Sequence, residues 1–125
     1  MKLIRCDIRA FIKGTQVPCE IVYNPQDNPY AVIFRFGPEY PQWEFSRDLL
    51  VECLEGPAGI GDVRIERKDD YILLTLTNAN GEAEIAFPRL EFYRVSHEIF
   101  ELVPMGREED FVDWDAEIAL LLGES

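Results

Sequence analysis

The sequence predicts an α+β fold with two antiparallel β-sheets and helices, in the order ββββ-α-βββ-α-α. Seven short segments alternate apolar and polar residues with the two-residue period of a half-buried strand. Three other segments repeat apolar residues every three or four positions, as amphipathic helices do. Turn-forming residues such as Asn80 and Gly81 separate these segments. The repetition of a group of strands followed by a helix suggests two similar halves.

Length and composition are those of one folded domain, and we assign residues 1–125 to it. The 125 residues are 47% hydrophobic and 29% charged, which is enough for a packed core. The net charge of -12 opposes binding to nucleic acid and anionic membranes, because the overall field repels phosphate. No apolar run is long enough for a signal peptide or a membrane span, so we expect a cytoplasmic protein.

The N-terminal residues predict a β-hairpin. Residues 3–12 place apolar side chains on one face and mostly charged ones on the other, and residues 17–23 repeat the apolar alternation. If the turn lies at residues 14–16, the register that matches the two apolar faces sets Ala10 near Cys19. We therefore expect a hairpin with one solvent-facing side.

A third strand is predicted at residues 30–36, and it differs from the others in being apolar on both sides. Phe34 and its alternate neighbours form one side, while Ala31 and Ile33 form the other. Strands of this kind are normally covered on both faces. We therefore expect a second sheet or another copy of the chain to cover the second side.

The most tightly specified stretch is 43–64, which reads as a strand, a short helix, a glycine-rich connection and a second strand. Ser46 is the predicted N-cap of a helix of about two and a half turns, which ends at Gly56. A phosphate-binding loop would continue into a helix, whereas residues 62–66 alternate like a strand. We therefore interpret the glycines as a tight connection.

The remainder of the chain predicts a three-stranded meander followed by two helices. The longer helix begins near Pro88 and carries an apolar stripe at Phe92, Val95, Ile99 and Leu102. The last helix spans residues 113–122, with Asp113 as its N-cap. Its apolar side must pack on its own domain or on a neighbour, and consists of Trp114, Ile118, Leu121 and Leu122. We expect the acidic residues 108–110, between the two helices, to be solvated.

Residues suited to catalysis or to metal binding are sparse. His97 is the only histidine, and no serine or cysteine motif accompanies it, so we expect a helix-surface residue. The cysteines have neither disulfide-framework nor zinc spacing, and we expect buried thiols at Cys6, Cys19 and Cys53. These patterns predict no enzyme activity, no cofactor and no metal.

One face of the first strand is the alternative candidate for a binding site. Positive side chains alternate there with an aromatic one, as in proteins that bind single-stranded nucleic acid, at Arg5, Arg9, Phe11 and Lys13. Asp7 and Glu20 neutralise part of this charge. An ordinary solvent-facing sheet surface is therefore the simpler interpretation, and we do not expect nucleic acid as a partner.

Three motifs carry a family resemblance: NPYAV at 28–32, WEFSRDLL at 43–50 and GIGDVR at 59–64. With them the chain resembles the SsgA-like sporulation and cell division proteins of actinomycetes, and within that family the SsgB type. The similarity covers nearly the whole chain in the same order. The chain has Asn28 and Ile60 where the family has aspartate and threonine.

The resemblance implies a non-catalytic protein of sporulation-specific cell division. It implies a Whirly-like fold and assembly as a homotrimer. It further implies that the protein helps recruit and position the tubulin-like division protein FtsZ, or another division protein, at the septum. A Whirly-like fold also keeps a single-stranded nucleic-acid-binding module as the alternative function.

The motif residues are the candidate partner-binding set that the resemblance implies. Trp43, Leu49 and Leu50 are expected to fix the short helix on the sheet. The polar residues Arg47, Asp48, Asp62 and Arg64 either form an ion-pair and capping network at the helix start and loop or face a partner. We expect the structural role for Asp48, and both roles stay open for Arg47 and Arg64. The complete set is Trp43, Arg47, Asp48, Leu49, Leu50, Gly59, Gly61, Asp62 and Arg64.

Overall fold

Eight strands and three α-helices are present in a computed structural model of the chain, which describes residues 2–37 and 42–123. The strands are β1 (Ile4–Ile12), β2 (Thr15–Tyr23), β3 (Ala31–Arg35), β4 (Trp43–Ser46), β5 (Ala58–Ile60), β6 (Val63–Lys68), β7 (Tyr71–Asn78) and β8 (Gly81–Pro88). The α-helices are α1 (Leu49–Glu52), α2 (Arg89–Leu102) and α3 (Trp114–Leu121), and a 3₁₀ helix spans Glu108–Phe111. The fold is therefore mostly β, with a few helices.

All eight strands form one antiparallel sheet in the order β4-β3-β2-β1-β8-β7-β6-β5, where the sequence predicted two sheets. Strand β1 joins the halves because it pairs with β2 along its full length and also with β8. The junction with β8 is narrow, with Phe11 opposite Ala86 as its bridging pair. Alternating patterns identify strands but not their neighbours, and so they did not reveal this junction.

The hairpin of β1 and β2 is confirmed, but its register differs from the predicted one by two residues. Ala10 lies opposite Val17 rather than Cys19, because a two-residue turn at Lys13 and Gly14 closes the hairpin. Both turn residues have positive φ angles, of 51° and 78°, as tight hairpin turns require. A shift of two residues keeps the same side chains on each face, so the predicted faces remain correct.

Helix α1 begins at Leu49, three residues after the predicted N-cap Ser46, and is much shorter than predicted. The Ser46 hydroxyl instead accepts a hydrogen bond from the backbone N–H of Asp48, at 3.3 Å. A serine that bonds two residues ahead stabilises a turn rather than a helix start. This turn directs the side chain of Arg47 into the interior.

The glycine-rich connection contains a short strand, β5, that the sequence did not predict. Strand β5 pairs with β6 and forms one edge of the sheet, so four strands follow α1 instead of three. Gly61 lies in the turn between them with a φ of 60°. A β-carbon at Gly59 would lie 2.6 Å from the carbonyl oxygen of Val63, so only glycine fits this close approach.

A single core covers one face of both halves of the sheet. The predicted stripe of α2 is confirmed, with Phe92, Val95 and Ile99 buried. Phe34 of β3 lies 5.5 Å, between ring centroids, from Phe87 of β8. Packing across the core therefore joins the halves where the strand junction is narrow.

The second side of β3 is only partly covered. Val32 and Phe34 are buried in the core, whereas Ala31 and Ile33 on the other side are half-buried. Val22, which pairs with Ile33 on β2, is buried. Neighbouring side chains of the same copy thus supply part of the cover that we expected from a second sheet or copy.

Helix α3 leaves most of its apolar side chains in solvent. Its predicted N-cap is confirmed, since Asp113 accepts a hydrogen bond from the N–H of Ala116 at 3.1 Å. Ile118 is 52% exposed, Leu121 86% and Leu122 71%. The predicted packing of this side is therefore not formed within one copy by these residues, and the side chain of Trp114 lies outside the described part of the chain.

Candidate functional site

Arg47 is at the centre of the best-connected group of motif residues. Its backbone N–H donates to the carbonyl of Tyr30 at 2.9 Å, which fixes the start of the turn before α1. Its side chain is almost completely buried. The guanidinium donates to the Val103 carbonyl at 2.6 Å and to a Glu108 carboxylate oxygen at 2.7 Å. The turn before α1 is therefore bound to the segment that follows α2.

Two aromatic rings enclose the guanidinium of Arg47. The ring of Phe100 lies 4.4 Å away and that of Tyr23 lies 5.6 Å away, measured to the ring centroids. Tyr23 is itself fixed by its hydroxyl, which donates to the carbonyl of Pro29 at 2.8 Å. Burying a charge is unfavourable unless ion pairing, hydrogen bonds and cation–π contacts compensate. Arg47 has all three, so it is built into the fold.

Glu108 was predicted to be solvated and is instead the buried partner of Arg47. The hydrogen bond from Arg47 lowers the pKa of this carboxyl below its ordinary value. Glu108 lies in a run of three acids, and the sequence contains no local signal that distinguishes one from the others. The only available hint was Arg47, since an arginine between Phe45 and Leu49 requires an acidic partner if it is buried.

The four polar motif residues do not form one network. Arg47 has the structural role that we considered for it, whereas Arg64 is exposed on β6, 3.7 Å from Glu66. Asp48 and Asp62 are exposed, and the Asp48 side chain makes no capping hydrogen bond to α1. Arg64, Asp48 and Asp62 therefore remain open to a partner.

The apolar motif residues fix α1 on the sheet. Leu49 and Leu50 are buried in the core, while Trp43 is half-buried at the edge strand β4. Gly59 and Gly61 shape the β5–β6 connection beside Arg64. The candidate partner-binding set thus consists mainly of residues that build the fold around one buried arginine, Arg47.

An apolar groove of about 510 Å³, the helix groove, lies between α1, α2 and the loop after α2. Leu54 and Met105 line it and are 49% and 60% exposed. Tyr93 and Phe100 of α2 also line it. Phe100 thus contacts Arg47 and contributes to the groove wall. No motif drew attention to this groove, because its residues come from three separate segments.

His97 lies at the edge of the helix groove and is exposed, as predicted. Its Nε2 atom is 3.5 Å from a carboxylate oxygen of Glu101, one helical turn later. Burial raises the pKa of Cys19 to about 12 and that of Cys53 to about 11. These two buried thiols are therefore protonated at neutral pH and are poor nucleophiles.

The charges on the alternative nucleic-acid face are largely paired. Arg9 contacts Glu91 at 2.6 Å, and the hydrogen bond between them lowers the pKa of Glu91. Arg5 lies 3.8 Å from Glu20. Phe11 is half-buried and packs edge-on against Tyr71, with ring centroids 6.5 Å apart. Together with the overall charge of -12, this arrangement offers phosphate little attraction.

In the part of the chain that the structure describes, none of the helices combines the length and the hydropathy needed to cross a membrane.

Comparison with known proteins relates the chain to sporulation proteins. A sporulation-specific cell division protein, SsgB, of Kineococcus radiotolerans is 38% identical over 117 residues, which cover 87% of this chain and 70% of the relative. A crystal structure described as an SsgA-like sporulation-specific cell division protein from Thermobifida fusca is 32% identical, covers 94% of both chains and has a TM-score of 0.76.

A second solved structure agrees with these two. Its description states that mutations in SsgB correlate to longitudinal cell division during sporulation of Streptomyces coelicolor. The match has a TM-score of 0.77 and 28% sequence identity, and it covers 86% of this chain and 92% of the other chain. A family model described as Streptomyces sporulation and cell division protein, SsgA, matches residues 17–108. This range contains all three motifs at 28–32, 43–50 and 59–64, and the resemblance is confirmed. The chain therefore belongs to the SsgA family of sporulation and cell division proteins.

Proposed function

We propose that this chain is a non-catalytic adaptor of cell division that assembles as a homotrimer and acts at the division septum. In this proposal it helps recruit or position the septation machinery by direct protein contacts, with FtsZ as the division partner. Support comes from the family, whose members compared above are called sporulation-specific cell division proteins. The Whirly-like description of the fold is part of the same proposal.

The exposed apolar side of α3 is the observation that carries the proposal. Ile118 and Leu121 of α3 and Leu122 directly after it are 52%, 86% and 71% exposed. Helices shorter than about 12 residues are rarely stable without packing, and α3 has eight residues. Burying each leucine would contribute roughly 1.5–3 kcal/mol. Contact with another protein surface, first of all another copy, would provide that burial.

The exposed apolar surface lies on a different element from the one that the sequence indicated. From the sequence we expected excess apolar surface on β3, but its second side is partly covered within one copy. The most exposed of the large apolar side chains is Leu121 of α3, and others lie on α2 and in loops, as at Leu54, Leu90 and Met105. Helix α3, rather than a sheet face, is therefore the proposed contact surface between copies.

Light scattering at micromolar concentration tests the assembly. We expect the mass of a trimer for the wild type and for Leu90→Glu, which alters an exposed leucine on α2. Leu121→Glu should give a monomer, because a carboxylate on α3 cannot be buried in an apolar contact. A monomeric wild type would refute the assembly, and a trimeric Leu121→Glu would refute the role of α3.

Co-sedimentation with FtsZ tests the partner. The chain should pellet with FtsZ that has been polymerised with GTP and should remain in the supernatant when FtsZ is left out. A matched sample containing FtsZ without GTP separates binding to polymers from binding to subunits. An equal amount of the chain in the supernatant with and without FtsZ polymers would contradict recruitment by direct contact.

A further inference from the structure

We propose that the helix groove is the docking site for an amphipathic helix that belongs to a partner protein and carries lysine or arginine beside its apolar face. This inference rests on the proposed function, because it assigns a surface and a partner chemistry to the protein contacts described there. It concerns residues outside the three family motifs, except for Leu50 at the end of the second motif.

The apolar content of the groove fits a helix as its occupant. The groove is formed by two helices and a loop, and its most exposed apolar side chains are Leu54, just after α1, and Met105 in the loop after α2. Tyr93 and Phe100, nearly two turns apart on α2, form one wall. Amphipathic helices occupy such grooves with anchors at positions i, i+3 or i+4 and i+7.

The charges around the groove indicate which side chains should flank the apolar face of the bound helix. His97 lines the groove, and the carboxylate of Glu101 lies 3.5 Å from it, so an acid is at that edge. On the α1 side, Glu52 and Glu55 are exposed and directly follow the groove residues Val51 and Leu54 in the sequence. An apolar centre with acidic edges is complementary to an apolar helix face flanked by lysine or arginine.

The same charges argue against the most obvious alternative, which is α3 of a second copy. Helix α3 is apolar and exposed, but it begins with Asp113 and Asp115 and has no basic residue in its last turn. Placing it in the groove would bring its acids close to those at the groove edges. Like charges in such positions oppose binding, so we assign the groove to a partner protein and leave α3 to the trimer.

The groove is preorganised by the buried network of Arg47. The guanidinium lies against the ring of Phe100 and donates to the carbonyls of Val103 and Pro104. Val103 and Pro104 are therefore fixed relative to α2 before any partner arrives. A surface that is already ordered loses little conformational entropy on binding. Arg47 is thus a positioning residue for the groove.

Fluorescence anisotropy with a synthetic peptide tests the inference on the full chain. The probe is a labelled peptide of about 14 leucine and lysine residues, roughly four helical turns, with its leucines on one face. We expect Leu54→Glu and Met105→Glu each to weaken its binding about tenfold or more, as at the centre of an interface. Leu90→Glu, on an exposed part of α2 outside the groove, should bind as the wild type does.

This design separates docking from simple charge attraction. Each substitution adds a negative charge, so a basic peptide held only by the overall field would bind the variants as well as or better than the wild type. A peptide of the same composition with its leucines distributed around the helix should bind about tenfold more weakly. A peptide with glutamate in place of lysine should bind weakly, because its carboxylates would lie close to the acids at the groove edges.

Two results would overturn the inference. One is equal affinity of the leucine–lysine peptide for the wild type, Leu54→Glu and Met105→Glu. The other is loss of the trimer in Leu54→Glu, which would assign the groove to contacts between copies. Thermal unfolding of each variant must match the wild type within a few degrees, as expected for exposed positions. Trimer formation and FtsZ co-sedimentation of the wild type are measured separately, so a failed peptide experiment leaves the proposed function untouched.

Discussion

The guanidinium of Arg47 and the carboxylate of Glu108 lie 2.7 Å apart in the interior, although they are 61 residues apart in the sequence. The contact connects the turn before α1 to the 3₁₀ helix that follows α2. It links the first half of the sheet to the C-terminal segment, and it fixes the loop that lines the helix groove. Its energetic role can be measured directly.

Arg47→Met should lower the free energy of unfolding by about 3–5 kcal/mol, because it leaves the Glu108 carboxylate buried without its partner. The double variant Arg47→Met/Glu108→Leu should lose less than the sum of the single changes, since no charge remains unpaired. Urea denaturation of the four proteins measures the coupling. Arg64→Met, which removes an exposed arginine, should change stability by less than about 1 kcal/mol. Equal losses for Arg47→Met and Arg64→Met would show that the buried pair contributes nothing special.

The same pair makes stability depend on pH. The pKa of Glu108 is lower in the folded protein than its ordinary value of 4.5, mainly because of the hydrogen bond from Arg47. Its contribution is therefore complete above that value and is lost as the pH falls through the lower folded pKa. Between about pH 7 and about pH 3, the wild type should lose more stability than Glu108→Gln. Parallel losses for the two proteins, measured by urea denaturation, would contradict this assignment.

Local patterns predicted the features whose causes are local. The stripe of α2, the Asp113 cap and the alternation of the strands all depend on residues within one or two turns of each other. The pair of Arg47 and Glu108 and the joining of β1 to β8 depend on distant segments, and short-range periodicity carries no information about them. The helix groove escaped prediction for the same reason.

The predicted register of the hairpin was wrong because the turn lies at Lys13 and Gly14 rather than at residues 14–16. The geometry of this turn can be tested. The turn places Lys13 at a φ of 51°, a conformation that lysine tolerates less well than asparagine or glycine. Lys13→Asn should therefore raise the free energy of unfolding by about 0.5–1 kcal/mol. Lys13→Gln removes the same charge without the preference for this conformation and should have little effect. If both variants have the same stability, the turn does not have this geometry in solution.

Two glycines of the third motif should differ in their tolerance of alanine. Gly59→Ala would place a β-carbon 2.6 Å from the backbone oxygen of Val63, which cannot move without disturbing the β5–β6 ladder. Gly61→Ala meets no atom within 4 Å but retains a φ of 60°. Gly61→Ala should cost about 1 kcal/mol, and Gly59→Ala should cost more, roughly 1–3 kcal/mol. Chemical denaturation decides the order, and a Gly59→Ala variant as stable as the wild type would exclude the close approach.

Removal of the two buried tyrosine hydroxyls near Arg47 and the helix groove should have different effects on the free energy of unfolding. The Tyr23 hydroxyl donates to the carbonyl of Pro29 at 2.8 Å, so Tyr23→Phe leaves that oxygen without its partner and should cost about 1–2 kcal/mol. The Tyr93 hydroxyl is buried with no hydrogen-bond partner among the described residues. Tyr93→Phe should therefore leave the free energy of unfolding unchanged or raise it by up to about 1 kcal/mol, because an unpaired polar group leaves the interior. Urea denaturation of the two variants provides the comparison. An equal loss of stability in both would show that Tyr93 has a hydrogen-bond partner in solution and that the groove wall is arranged differently.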